Sequence, residues 1–395
     1  MLVVAKVEER VAAAKAGANN ASSYHPATLR LAKARRTDRA HLSFDRWQSL
    51  WDESAYWELS AAEVDRIEAA TSELQRLCLA AGDHILEKNR FAEMCIPEAA
   101  VPHIIETWRQ EPPALYGRMD LAFDGRHLKL LEYNADTPTS LVEAAITQWY
   151  WLQDCFPKAD QFNSIHEKLI AKWRDLHPYV SQPVYFGYEP VEEDRMTIEY
   201  LRDTANQASL RSAAIAMHDI GWKAADSQFV DLGKQPMRTI FKLYPWETLL
   251  RDEFGPHALH SMQQMQWIEP IWKMLWSNKA LLAILWELFP DHELLLPAFL
   301  NGPCDLQSYV RKPLLGREGA NITVSISGIT MESTRGNYAD GKFVFQQYAD
   351  LAASNSIRAV VGSWLIDGEP AGIGIRESDG YVTTNTSRFV PHLFQ

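Results

Sequence analysis

Cysteine is scarce: Cys78, Cys95, Cys155 and Cys304 are the four in 395 residues, and no two form a CxxC pair. This excludes a sequence-evident zinc site or disulfide framework and suits a reducing, cytoplasmic setting. Long apolar runs are also missing. The N-terminal run stops at Glu8, too short for a signal segment, and residues 280–289 are flanked by Lys279 and broken by Glu287. No membrane span is therefore expected. Positive charge is short as well: 39 Lys and Arg against 51 Asp and Glu leave a net charge of −12. That argues against a nucleic-acid or anionic-membrane partner and is compatible with a cationic substrate. The chain has no GxxxxGK(S/T) loop and no GxGxxG opening a helix after a strand, so neither a P-loop nor a dinucleotide-binding unit is supported. Without repeats or a Gly/Ser linker, its units should dock tightly.

What is present reads as a globular protein: 47% apolar, 23% charged and rich in tryptophan, with fourteen. The length allows two or three packed units, or one large enzyme domain with subdomains. Residues 1–40 read as an extension: a helix, a loop and a basic stretch. Ser60-Ala61-Ala62-Glu63 has capping-box spacing, and Val64, Ile67, Leu74, Leu77, Cys78, Ala81 and Ile85 follow along one helical face. A short helix is expected over 102–109. Further on, a strand over 182–188, a helix over 196–205 and a strand near 228–232 give an alternating α/β rhythm.

The densest polar chemistry lies at Arg118, Asp120, Glu132 and Asn134. Each pair is two apart, so on strands each pair shares a face. A three-residue loop over 124–126 pairs Phe123 with His127 and Arg118 with Glu132, putting all four on one face; a two-residue turn would send Glu132 to the other side. Such a set of hard oxygens suits Mg2+, and equally suits a half-buried hairpin with a structural Arg–Glu pair. Next, Thr137 reads as an N-cap with Pro138 at the first helical position.

In the C-terminal third, a strand over 309–313 carries Lys312 ahead of the Gly-flanked Arg317-Glu318-Gly319 turn, the makings of a phosphate cradle. Gln346-Gln347-Tyr348 closes a strand where an amide could read an adenine edge. Strands over 358–366 and 370–376 flank Asp367-Gly368, a hairpin signal, and Ala371, Gly372 and Gly374 permit close approach of a backbone or ligand before Arg376. An exposed strand end and surface ion pairs are the plainer readings of these features.

Taken in order, Arg118/Asp120, Glu132/Asn134, Asn134-Ala135-Asp136-Thr137, Ser277-Asn278-Lys279, Lys312-Pro313, Arg317-Glu318-Gly319 and Gly368-Glu369-Pro370-Ala371-Gly372 resemble the glutathionylspermidine synthase family, in its stand-alone form without the amidase half. The resemblance implies an α+β, mixed α/β, ATP-grasp-type synthetase fold with antiparallel sheets flanked by helices. It implies a pre-ATP-grasp and substrate/metal region over 41–265 and a nucleotide region over 266–395. The implied activity is ATP-dependent acid–amine ligation through an acyl phosphate, with ATP and Mg2+ as cofactors. Its partners would be a peptide-like carboxylate and an amine, a polyamine among the candidates.

By the same resemblance Asp120, Glu132 and Asn134 bind metal, and Arg118 and Arg376 face the reacting groups. Lys279, Lys312, Arg317, Gly319, Gln346, Gln347 and Tyr348 serve the nucleotide. Thr137, Thr139, Glu192, Glu193 and Thr248 serve the substrates. Thr137-Pro138-Thr139-Ser140 departs from the small residues of the glutathione-using branch and reshapes the acid pocket. A small-molecule kinase and a non-catalytic nucleotide-binding protein on the same fold remain as alternatives.

Overall fold

The computed structural model describes residues 3–6, 50–339, 341–354 and 357–395. Most of the expected N-terminal extension lies outside these residues. Its Val3–Lys6 segment is a strand rather than helix, paired antiparallel with Ala55–Leu59, which runs parallel to His392–Phe394 on its other side.

The long helix Ala61–Glu87 begins as its sequence dictates. Ser60 Oγ accepts from Glu63 N–H at 3.3 Å, and Glu63 Oε2 accepts from Ser60 N–H at 2.8 Å, closing a reciprocal capping box. Its apolar stripe from Val64 to Ile85 is buried, each large aliphatic side chain contributing about 1.5–3 kcal/mol. Burial pushes the Cys78 thiol far up, so it packs as a small apolar group.

An antiparallel sheet runs in the order Arg388–Val390, Glu369–Ser378, Ile357–Ile366, Tyr116–Phe123, Leu128–Asn134, with Ala352–Ser354 at one side. Its C-terminal hairpin turns at Asp367 (φ 54°) and Gly368 (φ 76°), the two positive values a type I′ turn requires. The small residues there admit another backbone: a Cβ at Gly372 would sit 2.8 Å from the Phe162 carbonyl oxygen.

The hairpin 116–134 departs from the expected register. Four residues, not three, form its loop, Phe123 pairing with Leu128. Asp124 holds that loop, its Oδ1 accepting from the N–H groups of Arg126 and His127. A bulge then falls between Asp120 and Leu121, skipping Leu131, so Asp120 pairs with Glu132 and Arg118 with Asn134. The extra loop residue alone would have flipped Glu132 away; the bulge restores it. All four polar residues thus share one face, by a different route.

A second sheet is parallel throughout, ordered Gln266–Ile268, Thr239–Leu243, Val184–Tyr188, Ser212–Ala216. The helix Glu192–Gln207 crosses between its last two strands. This helix starts earlier than expected, so Glu192, Glu193 and Asp194 form its first turn, at the end whose free N–H groups favour negative charge. A third, antiparallel sheet is ordered Ala298–Phe299, Phe343–Gln347, Tyr309–Pro313, Thr323–Ile326, Ile329–Ser333. The apolar helix Ala280–Leu288 packs between it and the long helix.

The mixed α/β architecture with helix-flanked antiparallel sheets is as expected; the parallel sheet adds to it. One apolar core joins the long helix, the 116–134 hairpin and helix Ala280–Leu288, and a second joins Trp173, Phe186, Phe241, Ile268 and Trp364. No helix among the described residues is long and apolar enough to cross a membrane.

Candidate active site

The sheets meet around a cavity of about 580 Å³, lined by every site residue named from the sequence except Glu192. Glu192 instead pairs with Arg195 on the helix surface, at 3.1 Å. Its neighbours Glu193 and Asp194 do face the cavity, as do Glu189, Glu318 and Glu143.

On the hairpin face, Arg118 donates to both Asp120 oxygens, at 2.6 and 3.0 Å, and to the Thr139 carbonyl at 2.5 Å. Gly362 makes room for its stem, since a Cβ there would lie 2.9 Å from Arg118 Cδ. Burial works against the Arg118 charge, but Asp120 outweighs it and keeps the guanidinium firmly protonated. Asn134 Nδ2 donates to Glu132 Oε1 at 3.0 Å and lies 3.4 Å from Asp120 Oδ2, so the two carboxylates converge on the Asn134 amide nitrogen. Among the described residues no group of three or more His, Cys, Asp or Glu is placed to hold a metal. The candidate metal set is therefore two carboxylates and an amide.

The Ser277-Asn278-Lys279 run acts residue by residue. Ser277 Oγ accepts from the N–H groups of Ala135 and Asp136, at 3.1 and 2.8 Å. Asn278 Oδ1 accepts from Ala280 N–H at the start of its helix. Lys279 Nζ reaches Glu132 Oε2 at 3.0 Å and the Gly316 carbonyl at 2.8 Å. Burial would raise the Glu132 carboxyl, but Lys279 and Lys312 outweigh it and hold it well below the usual range. Burial pushes Lys312 down to about 8, against the pull of Glu132.

The loop 135–140 is not the helix start expected from the sequence. Thr137 and Pro138 lie in a loop that bends at 136–137, Ser140 has φ 67°, and the helix begins at 141, with a π turn over Glu143–Thr147 before the α-helix Gln148–Cys155. Tertiary contacts claim the would-be cap. Asp136 accepts from Lys242 Nζ at 2.5 Å and Trp246 N–H at 2.9 Å, an ion pair with 0% and 1% side-chain exposure. Thr137 Oγ1 accepts from Arg317 Nη1 at 2.6 Å.

Arg317 also donates through Nε and Nη2 to Glu247 Oε1, at 2.9 and 2.7 Å, so the Gly turn is fastened across the cavity. Arg376 also lines the cavity and donates to the Thr384 carbonyl. Burial, then the neighbouring Arg118 charge, pushes its guanidinium down, against the pull of Asp120, Glu193 and Glu143. Asp194 is pushed up to about 7 by burial, with Glu193 beside it. The sequence did not reveal Lys242 or Glu247 as partners, although Asp136 lies within the Asn134-Ala135-Asp136-Thr137 run.

The description "glutathionylspermidine synthase preATP-grasp" fits residues 26–395. The chain belongs to the glutathionylspermidine synthase family. Within this family's reach, a Haemophilus influenzae protein whose name marks it provisionally as an acid–amine ligase is 39% identical over 358 residues, 87% of this chain and 91% of that one. The Escherichia coli bifunctional glutathionylspermidine synthetase/amidase is 27% identical over 366 residues, 85% of this chain and 58% of that enzyme. Crithidia fasciculata trypanothione synthetase is 26% identical over 323 residues, 74% of this chain and 49% of that enzyme. The chain thus spans only about half of these two longer relatives. In structure, it resembles a glutathione synthetase-like effector of Globodera pallida in its apo form, with a TM-score of 0.51, 10% identity and 86% and 89% of the two chains covered. That likeness concerns the fold, and it agrees with the ATP-grasp-type synthetase architecture. These relatives are carbon–nitrogen ligases by name, the class the motifs implied.

Proposed function

We propose that the protein is an ATP-dependent acid–amine ligase that makes an amide through an acyl phosphate. The observation that carries this reading is the convergence in one cavity of Arg118 and Arg376 with Asp120, Glu132, Asn134, Lys279 and Lys312. In this reading residues 41–265 supply the substrate and metal side and 266–395 the nucleotide side of one synthetase unit. The curated relatives' names support the class.

A carboxylate resists amine attack because it is anionic and lacks a leaving group. In the first step a carboxylate oxygen of the acid bonds to the γ-phosphorus of ATP and ADP departs. Arg118 and Arg376 flank the charge that develops, while Lys279 and Lys312 lie on the nucleotide side with Arg317, Gly319 and 346–348. Asp120, Glu132 and Asn134 would fit Mg2+ with the Asn134 amide turned to present Oδ1, because both carboxylates already lie around that one amide group. Bound there, Mg2+ supplies charge neutralisation to the phosphate oxygens.

In the second step the amine nitrogen bonds to the acyl carbon and phosphate leaves. An alkyl ammonium has a pKa of about 10 and must first lose a proton. Asp194, raised to about 7, is suited to take it, with Glu193 beside it to attract a cationic amine. Thr137, Thr139 and Thr248 line the acid side. A hydroxylamine trap tests the scheme: an acid that stimulates ADP release should yield its hydroxamate. ADP release without hydroxamate would instead mark a kinase.

A further inference from the structure

Gln346 and Lys312 lie on adjacent antiparallel strands, where Lys312 pairs with Val344 and Gln346 is two residues further on, so their side chains share a face. Both are buried, at 2% and 6% exposure. Gln346 Oε1 accepts from Lys312 Nζ at 2.8 Å, and its Nε2 donates to the Leu130 carbonyl at 2.9 Å. Both ends of the amide are therefore used inside the protein, which fixes which end faces the lysine. Lys312 Nζ donates a second time, to the Leu131 carbonyl at 2.9 Å. Leu131 is the residue that the hairpin bulge leaves without a cross-strand partner. The bulge that turns Glu132 toward the cavity thus also presents the carbonyls that anchor the opposite sheet.

We propose that Gln346 is not a reader of the nucleotide base but a positioning residue, which holds Lys312 against the bulged hairpin so that its remaining N–H faces the phosphates. An ammonium has three N–H groups; two are held by Gln346 and Leu131, and one is left. Base selectivity then rests on other groups at the cavity, and Gln346 acts on affinity for any nucleoside triphosphate. The inference rests on the nucleotide-using reading above and assigns a different task to one of its residues.

The test is calorimetric binding of MgATP and MgGTP to the full chain, in wild type, Gln346→Met, Lys312→Met and the double variant. Losing a buried acceptor to a charged donor should weaken MgATP and MgGTP by the same factor, on the order of tenfold, leaving their ratio unchanged. In the Lys312→Met background, Gln346→Met should have little further effect, because the two act as one unit. The ratio belongs to the folded fraction, so it stays readable if a variant is destabilised. A ratio that collapses in Gln346→Met, or effects that simply add, would overturn the positioning role and restore base reading. A wild-type chain that binds no MgATP would overturn the nucleotide-using reading itself.

Discussion

Replacing Asp136 by alanine strands the Lys242 ammonium in the interior. Asp136 accepts from Lys242 Nζ and from Trp246 N–H, and neither charged side chain is more than 1% exposed. Removing one partner of such a pair costs about 3–5 kcal/mol, because the other charge stays buried without compensation. Against a global stability of roughly 5–15 kcal/mol, that is a large loss. It also frees the loop that carries Thr137 and Thr139, so substrate turnover should fall with stability. Urea unfolding, followed by tryptophan fluorescence, reads the change directly, since Lys242 lies 4.7 Å from the Trp246 ring centroid. The double variant Asp136→Ala/Lys242→Met removes both charges and should recover much of the loss. An Asp136→Ala protein within about 1 kcal/mol of wild type, or a double variant no better than the single, would refute the reasoning.

Asp194→Asn removes the proposed base: wild-type turnover should rise with pH through about 7, as Asp194 loses its proton, and the variant should lack that rise. An unchanged pH–rate profile would assign the proton to another group. His392 is wholly buried, its Nδ1 donating to Gln148 Oε1 at 2.9 Å, and burial lowers it to about 3. The unfolded chain takes up that proton near pH 6.5 and the folded chain only near 3, so stability is full above 6.5 and falls as pH drops between them. The slope from this residue is about 1.4 kcal/mol per pH unit, and His392→Gln should remove it from unfolding curves collected from pH 7 to 5. Gly372→Ala drives a methyl to within 2.8 Å of the Phe162 carbonyl oxygen and should cost about 1–3 kcal/mol in the same unfolding assay.

Local signals were legible wherever the chain answers to its own neighbours. The Ser60 capping box and the Asp367-Gly368 turn formed as their sequences dictate, since each is completed within four residues. Lys312 was read on its strand, but nothing in the sequence shows that Gln346 already occupies it. The hairpin register was harder. Counting alternation gives the face but cannot see an inserted residue, so a longer loop and a bulge offset each other at Leu131. Thr137 has the right chemistry for a helix cap, yet Asp136 is held by Lys242, 106 positions away, and the loop follows that pair. The strand Thr239–Leu243 is buried along its whole length and gives no alternation to read. The edge strand of the third sheet, Ile329–Ser333, is largely exposed and equally silent. The polar residues of the cavity were therefore visible one by one, while the contacts that fix them across the sheets were not.

The central claim is that these residues activate an acid with ATP for attack by an amine. ADP release, measured over amino acids and small peptides crossed with polyamines, tests it most directly. ADP should form only when a suitable acid is present, and that signal should be lost in Asp120→Ala and Arg376→Ala with circular dichroism unchanged. ADP formation that persists in both variants would contradict it.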